Sequence, residues 1–115
     1  MTETSEIDPS AAPSGPGCLE CEQSSGWWFH LRRCAACGRI GCCDSSPSQH
    51  GTKHARSAGH PILTSYEPGE YWFYDDRTGD VAEGPDIAAP RHHPDDQTTP
   101  GPEDRVPADW VSRLH

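Results

Sequence analysis

Eight residues of metal-ligand type fall within 43 consecutive positions of this 115-residue chain: Cys18-x2-Cys21, Cys34-x2-Cys37, Cys42, His50, His54 and His60. Two residues between thiolates form a tight turn that aims both sulfurs at one centre, and zinc prefers four such N or S donors in a tetrahedron. Eight donors therefore match two closed zinc sites. Three disulfides are the plain alternative for six cysteines. The first residues, Met1 to Glu6, lack the basic start and apolar stretch of a signal peptide, so a reducing, cytoplasmic setting is expected, where metal is the better reading. A thioredoxin-like redox pair would use one CxxC and leave the second and the histidines idle. His50 and His54, at i and i+4, could face one ion as in zinc hydrolases, but Gly51 stands where such enzymes carry a general-base Glu.

Composition shows why a staple is needed and where it sits. About a third of the residues are hydrophobic, too few for a large core in a chain this short. Every cysteine and eight of the nine aromatic residues lie within 18–83. Residues 1–17 are acidic and proline-bearing and are expected to be a disordered tail; residues 84–115 form a second polar, Pro/Asp-rich tail. Net charge is −9, divided as −3 over 1–17, −2 over 18–76 and −4 over 77–115, so the central part is nearly balanced. This acidity argues against nucleic acid as a partner, and no apolar run is long enough to cross a membrane. A monomer is expected.

The expected fold is α+β: a small zinc-stabilised domain, with a short antiparallel sheet packed with one or two helices and disordered tails. Trp27 to Leu31 reads as a strand or packed loop, and Arg39-Ile40-Gly41 as a short strand. Ser45-Ser46-Pro47 reads as a helix start, with Gly59 as the stop after Ala58. Strands follow at His60 to Tyr66 and Glu70 to Asp75, then a turn at Asp76 to Gly79 and a return at Asp80 to Ala82.

The full pattern, Cys18-x2-Cys21, Cys34-x2-Cys37-x4-Cys42 and His50-x3-His54-x5-His60-Pro61, resembles the UBP-type zinc finger, a ubiquitin-binding module found in deubiquitinases. It is especially similar to standalone bacterial members at Cys42-Cys43-Asp44-Ser45-Ser46-Pro47 and at Glu67-Pro68-Gly69-Glu70. The resemblance implies that Cys18, Cys21, Cys42 and His50 hold one zinc, and Cys34, Cys37, His54 and His60 the other. A third zinc of some members needs ligands where this chain has Phe73 and Asp76, so two are expected.

The resemblance also implies a pocket for a free protein C-terminus such as a ubiquitin-like Gly-Gly tail, with Trp72 and Tyr74 as aromatic walls; Trp27 and Trp28 are expected to be core on one side, with one of them, Trp28, lining the groove. Independently, Trp72 and Tyr74 stand two apart on the expected strand and so share a face, opposite Tyr71 and Phe73. The family's carboxylate-binding arginine falls on Asp44, an acid that would repel a carboxylate, and Arg32 occupies the place of a pocket tryptophan. Arg39, Arg32 or Arg33 would have to supply the missing charge.

Other residues read as structural. Cys43 is expected to be small packing rather than a ninth ligand, and His30 a packing or capping residue. His92 and His93 are expected to be solvated, and Asp75 and Asp76 to be an ordinary hairpin end. Val106, Trp110 and Leu114 recur at helical spacing and could dock on the domain or on another protein. The expected function is a noncatalytic protein-interaction module. The alternatives are a redox- or zinc-responsive switch at the Cys3His site, and a module for the tail of a ubiquitin-fold sulfur carrier.

Overall fold

The computed structural model describes residues 7–114; the first six residues of the expected N-terminal tail and His115 lie outside that range. Element order is α1 (Leu19–Ser24), β1 (Leu31–Cys34), β2 (Ile40–Cys42), α2 (His50–Ala58), β3 (Ile62–Ser65), β4 (Phe73–Asp75) and β5 (Val81–Ala82), with a 3₁₀ turn at Trp110–Arg113. The strands form one antiparallel sheet in the order β2-β1-β3-β4-β5. Among the described residues no helix is long and apolar enough to cross a membrane.

The two helices begin where cysteine sulfur can accept their first N–H groups. Cys18 is the N-cap of α1, its sulfur accepting from the Cys21 N–H at 3.4 Å. At α2 the His50 N–H donates to Cys42 Sγ at 3.2 Å, and Gln49 takes a left-handed conformation (φ 53°) to aim it. The expected start at Ser45-Ser46-Pro47 is therefore moved to His50. The reason is that Ser46 is engaged elsewhere, its hydroxyl accepting from the Phe29 N–H at 2.8 Å. A thiol sulfur, charged when metal-bound, is a stronger acceptor for a helix N-terminus than a serine hydroxyl. The stop at Gly59 is as expected, with φ 70°.

Helix α2 lies close to the sheet at Gly41. A Cβ added there would stand 2.6 Å from the Gly51 backbone nitrogen, and one added at Gly51 would be 3.0 Å from the Cys42 carbonyl oxygen. Two glycines thus let α2 approach β2 closely enough for His50 to reach the sulfurs. Gly41→Ala should force α2 outward at a cost of about 1–3 kcal/mol. Chemical denaturation of the zinc-saturated protein measures this, and an unchanged midpoint would contradict the close approach.

Strand register divides the sheet into two faces. Leu63 pairs with Tyr74, and Tyr74 with Val81, placing these side chains on the α2 face with Arg32 and Trp72. Leu31, Arg33, Thr64 and Phe73 point the other way. On that second face α1 covers the β2 end, its Cys21 clustering with Leu31, Ile40 and Cys42, and the flanking segments cover the rest. Ile87 and Ile7 pack with Phe73, Ala35 and Ile62. Asp8 N–H donates to the Ala35 carbonyl (2.7 Å), and Ala88 N–H to that of Pro9 (2.7 Å), so the two flanks also touch each other.

Arg33 joins the flanks to the sheet. It is 1% exposed, and its guanidinium donates to the carbonyls of Ala88 (2.8 Å), Pro90 (3.0 Å) and Ala11 (2.6 Å). The described parts of both flanks therefore lie against the sheet. Their polarity is real, but they contribute backbone carbonyls and two well-placed isoleucines, Ile7 and Ile87.

A second buried link runs through Glu67 and His93. His93, expected to be solvated, is 4% exposed; its Nε2 lies 3.0 Å from Glu67 Oε1 and its N–H donates to the Tyr66 carbonyl. The other carboxylate oxygen accepts from the Leu31 N–H at 2.8 Å. His30 Nδ1 stands 3.5 Å from Oε1, at ion-pair rather than hydrogen-bond distance. Burial pushes the Glu67 carboxyl up, but His30, the Leu31 N–H and His93 outweigh it and hold it down to about 2. Since the ordinary value is 4.5, the stability that Glu67 contributes is complete above that pH and is lost as pH falls toward 2. Glu67→Gln should cost about 1.5–3 kcal/mol at pH 7, checked by urea unfolding of the zinc-loaded protein.

The C-terminal stretch continues along the domain. Trp28 exchanges backbone bonds with Gly101 (2.8 and 2.9 Å), Arg105 donates to the Gly26 carbonyl (2.8 Å), and Trp110 stacks 5.6 Å from Phe29. Docking on the domain, one of the two roles considered for the Trp110 segment, is the arrangement observed. Truncation after residue 100 should shift the amide resonances of Gly26, Trp28 and Phe29 in an NMR comparison with the full chain; identical spectra over 18–83 would rule the docking out.

Candidate metal centres and the aromatic pocket

The eight donors gather into two groups, Cys18/Cys21/Cys42/His50 and Cys34/Cys37/His54/His60, with the ligand atoms of each within 4.8 Å of one another. Each group combines distant chain segments. The first draws on the cap and body of α1, the end of β2 and the first residue of α2. The second draws on the end of β1, the turn after it, the middle of α2 and the residue following its stop. His50 and His54 serve different centres although they are one turn apart, which removes the shared-ion arrangement of a zinc hydrolase.

The spacings suit a tetrahedral ion. With sulfur about 2.3 Å from zinc, the edge of a tetrahedron is about 3.8 Å between sulfurs. Cys21 and Cys42 sulfurs are 3.9 Å apart, and His50 Nδ1 lies 3.3 Å from Cys18 Sγ, 3.3 Å from Cys21 Sγ and 3.7 Å from Cys42 Sγ. In the second group Cys34 Sγ is 3.5 Å from His60 Nδ1, and Cys37 Sγ is 3.3 Å from His54 Nε2. Each group could hold a zinc ion.

The thiols also show why a cation belongs there. Hydrogen bonding with Cys18 and Cys42 together with burial pushes Cys21 strongly up, while S–H donation from Cys18 and Cys21 pulls Cys42 down to about 2. Burial pushes Cys34 up to about 11. Three neighbouring buried thiols oppose one another's ionisation, and a dication would let all three ionise. Second contacts orient the ligands, with Glu20 Oε2 lying 3.7 Å from His50 Nε2, the ring nitrogen facing away from the sulfurs. The sequence pointed to the ligands but not to Glu20.

On the α2 face, beside the first metal group, is a pocket of about 350 Å³ lined by Trp72, Tyr74, Leu63, Val81, Arg32, His30 and the Cys42–Ser45 loop. The shared face of Trp72 and Tyr74 is as the spacing predicted. The Arg32 guanidinium lies 5.0 Å over the Trp72 ring and donates to the Leu31 carbonyl at 3.0 Å, so it is held in place by stacking and by one hydrogen bond. Asp44 occupies the opposite loop and accepts from the Thr52 hydroxyl.

Two residues expected at this pocket lie elsewhere. Trp28 is 2% exposed and packs in the core with Cys18, Cys21, Leu31 and Tyr66, its ring lying against Gly17. Its backbone pairing with Gly101 turns it inward. Arg39 precedes β2 at the end away from the pocket and pairs with Glu20 at 3.0 Å. Of the three candidate arginines Arg32 alone lines the pocket, since Arg33 is buried under the flanks. Cys43 is buried with its sulfur 3.4 Å from Ser46 Oγ, as packing rather than as a ligand.

This chain matches the family model described as the Zn-finger in ubiquitin-hydrolases and other protein over residues 18–80, and it belongs to that family. Among solved structures it is similar to the NMR solution structure of protein RPA1320 from Rhodopseudomonas palustris, at 36% identity and a TM-score of 0.62, covering 79% of this chain and 85% of that one. No curated protein gives a match.

Because α2 gives one histidine to each centre, the two centres are separable by mutation. His54→Ala should lower the zinc count from two to one in native mass spectrometry while leaving the Cys18 centre loaded, and Cys42→Ser should do the reverse. Loss of both ions with similar zinc affinity in either variant would mean that the ligands are not partitioned this way.

Proposed function

We propose that this zinc finger is a noncatalytic binding module for the free C-terminus of a protein or peptide, a ubiquitin-like Gly-Gly tail included. The observation that carries the reading is the Arg32 guanidinium held over Trp72 inside a pocket walled by Tyr74, Leu63 and Val81. A fixed guanidinium offers a bidentate site for a terminal carboxylate, and flat aromatic walls favour residues with little or no side chain ahead of it. Arg32 thus fills the charge left vacant by Asp44. Both metal groups have four protein donors, which leaves no open coordination position and favours a structural role for zinc. A ubiquitin-fold sulfur carrier ending in Gly-Gly is a partner class with this chemistry. The module would work as a monomer in the cytoplasm, where thiols stay reduced, and not on nucleic acid or membranes.

The switch reading has less support in the geometry. Cys18, Cys21 and Cys42, the thiols of the Cys3His group, are fully buried, and an oxidant attacks an exposed thiolate first.

Titrating the labelled, zinc-loaded chain with Gly-Gly-ending peptides tests the proposal. Shifts are expected at Trp72, Tyr74 and Arg32 with the free carboxylate and not with the amide, and Trp72→Ala should weaken binding about tenfold or more. No shift at these residues at millimolar peptide would remove the reading.

A further inference from the structure

The pocket carries a second charge that a bare Gly-Gly tail does not use. Asp44 lines it from the loop after β2, and Arg32 lines it from β1. Among the described residues neither forms an ion pair: Arg32 is held by Trp72 and the Leu31 carbonyl, and Asp44 by the Thr52 hydroxyl. One cavity thus has a cation without an ion-pair partner on one wall and an anion without one on another, Asp44 feeling Arg56 only at longer range.

We infer that Asp44 selects the ligand: the pocket takes chain ends with a basic side chain close to the terminal carboxylate, the carboxylate on Arg32 and the ammonium or guanidinium on Asp44. The inference rests on the C-terminus-binding reading above. An acidic tail would be attracted at Arg32 and repelled at Asp44. A neutral tail would cover Asp44 without giving it a partner, and partial desolvation of an unpaired carboxylate costs affinity. A basic residue resolves both. The net charge of −9 acts in the same direction at longer range, raising the encounter rate of cationic chain ends at low salt.

Two carboxylates near this region are already committed and so do not share the role. Asp76 is paired with Arg56 at 3.0 Å and Glu67 with His93 at 3.0 Å. Asp44 is exposed in the free protein, which lets a long basic side chain reach it from outside while the tail itself enters between Trp72 and Tyr74.

The test is a set of peptides ending in Gly-Gly, with one lysine placed in turn at each of the preceding few positions, matched peptides with glutamate there, and C-terminal amides. Binding to the full zinc-loaded chain is read by calorimetry and by amide shifts. The best lysine peptide should bind about tenfold more tightly than its glutamate partner, the range of one weakly screened attraction exchanged for a repulsion. Asp44→Asn should bring the two within about twofold, and Asp44→Lys should reverse the preference. Zinc stoichiometry of two in each variant shows that the fold is retained. Arg32→Gln should remove the difference between free acid and amide without abolishing the lysine preference. Equal binding of lysine and glutamate peptides to the unmodified chain overturns the Asp44 assignment while leaving C-terminus binding intact. Absence of binding by every free-acid peptide overturns both.

Discussion

The bond from the His50 N–H to Cys42 sulfur is the point on which this fold turns. It starts α2, joins the helix to the end of β2, and lies within the first metal group, so one short contact couples secondary structure to ligation. From there α2 sends His54 to the second group one turn later. The two centres are consequently bound to each other through a nine-residue helix, and the β1–β2 hairpin closes the loop by giving Cys34 to one centre and Cys42 to the other. In a chain with little apolar residue, metal ligation takes the place of the core that a larger domain would use to fix the same elements.

The pocket is a by-product of that arrangement. Gly41 and Gly51 bring α2 against β2, and farther along the same side of the sheet Leu63, Tyr74 and Val81 line the pocket. Trp72 lines the same pocket, with the Arg32 guanidinium stacked over its ring. The aromatic walls and the guanidinium are therefore positioned by the sheet, whereas Asp44 comes from the loop that connects a metal ligand to the helix. The pocket thus takes its apolar walls from the sheet and one charged edge from a loop.

Ligand identity was readable in the sequence because thiolate and imidazole spacing leaves few alternatives, and the face shared by Trp72 and Tyr74 was readable from strand alternation. Helix α1 was not, since Leu19 to Ser24 has no apolar stripe and is shaped by a sulfur cap. The start of α2 was misplaced for a related reason: Ser45-Ser46-Pro47 is a good local signal, but Ser46 is engaged by the distant Phe29 N–H and the helix starts on the sulfur of Cys42 instead. Trp28 and Arg39 were assigned to the pocket from their residue types, whereas their direction depends on Gly101 and Glu20, which no local pattern links to them. What the flanks touch was not readable either. Low apolar content describes their side chains accurately and says nothing of what their carbonyls do.

The buried Arg33 gives those carbonyls a consequence for where the protein begins and ends as a physical object. Sequence similarity to the family runs from 18 to 80, yet the guanidinium under the sheet is solvated by peptide groups at 11, 88 and 90. A fragment cut at the boundaries of inheritance would open that cation to water and strip Phe73 of its cover. The stretch matched by the family model and the stretch that packs around Arg33 are different lengths of chain, because one arginine is solvated from both flanks.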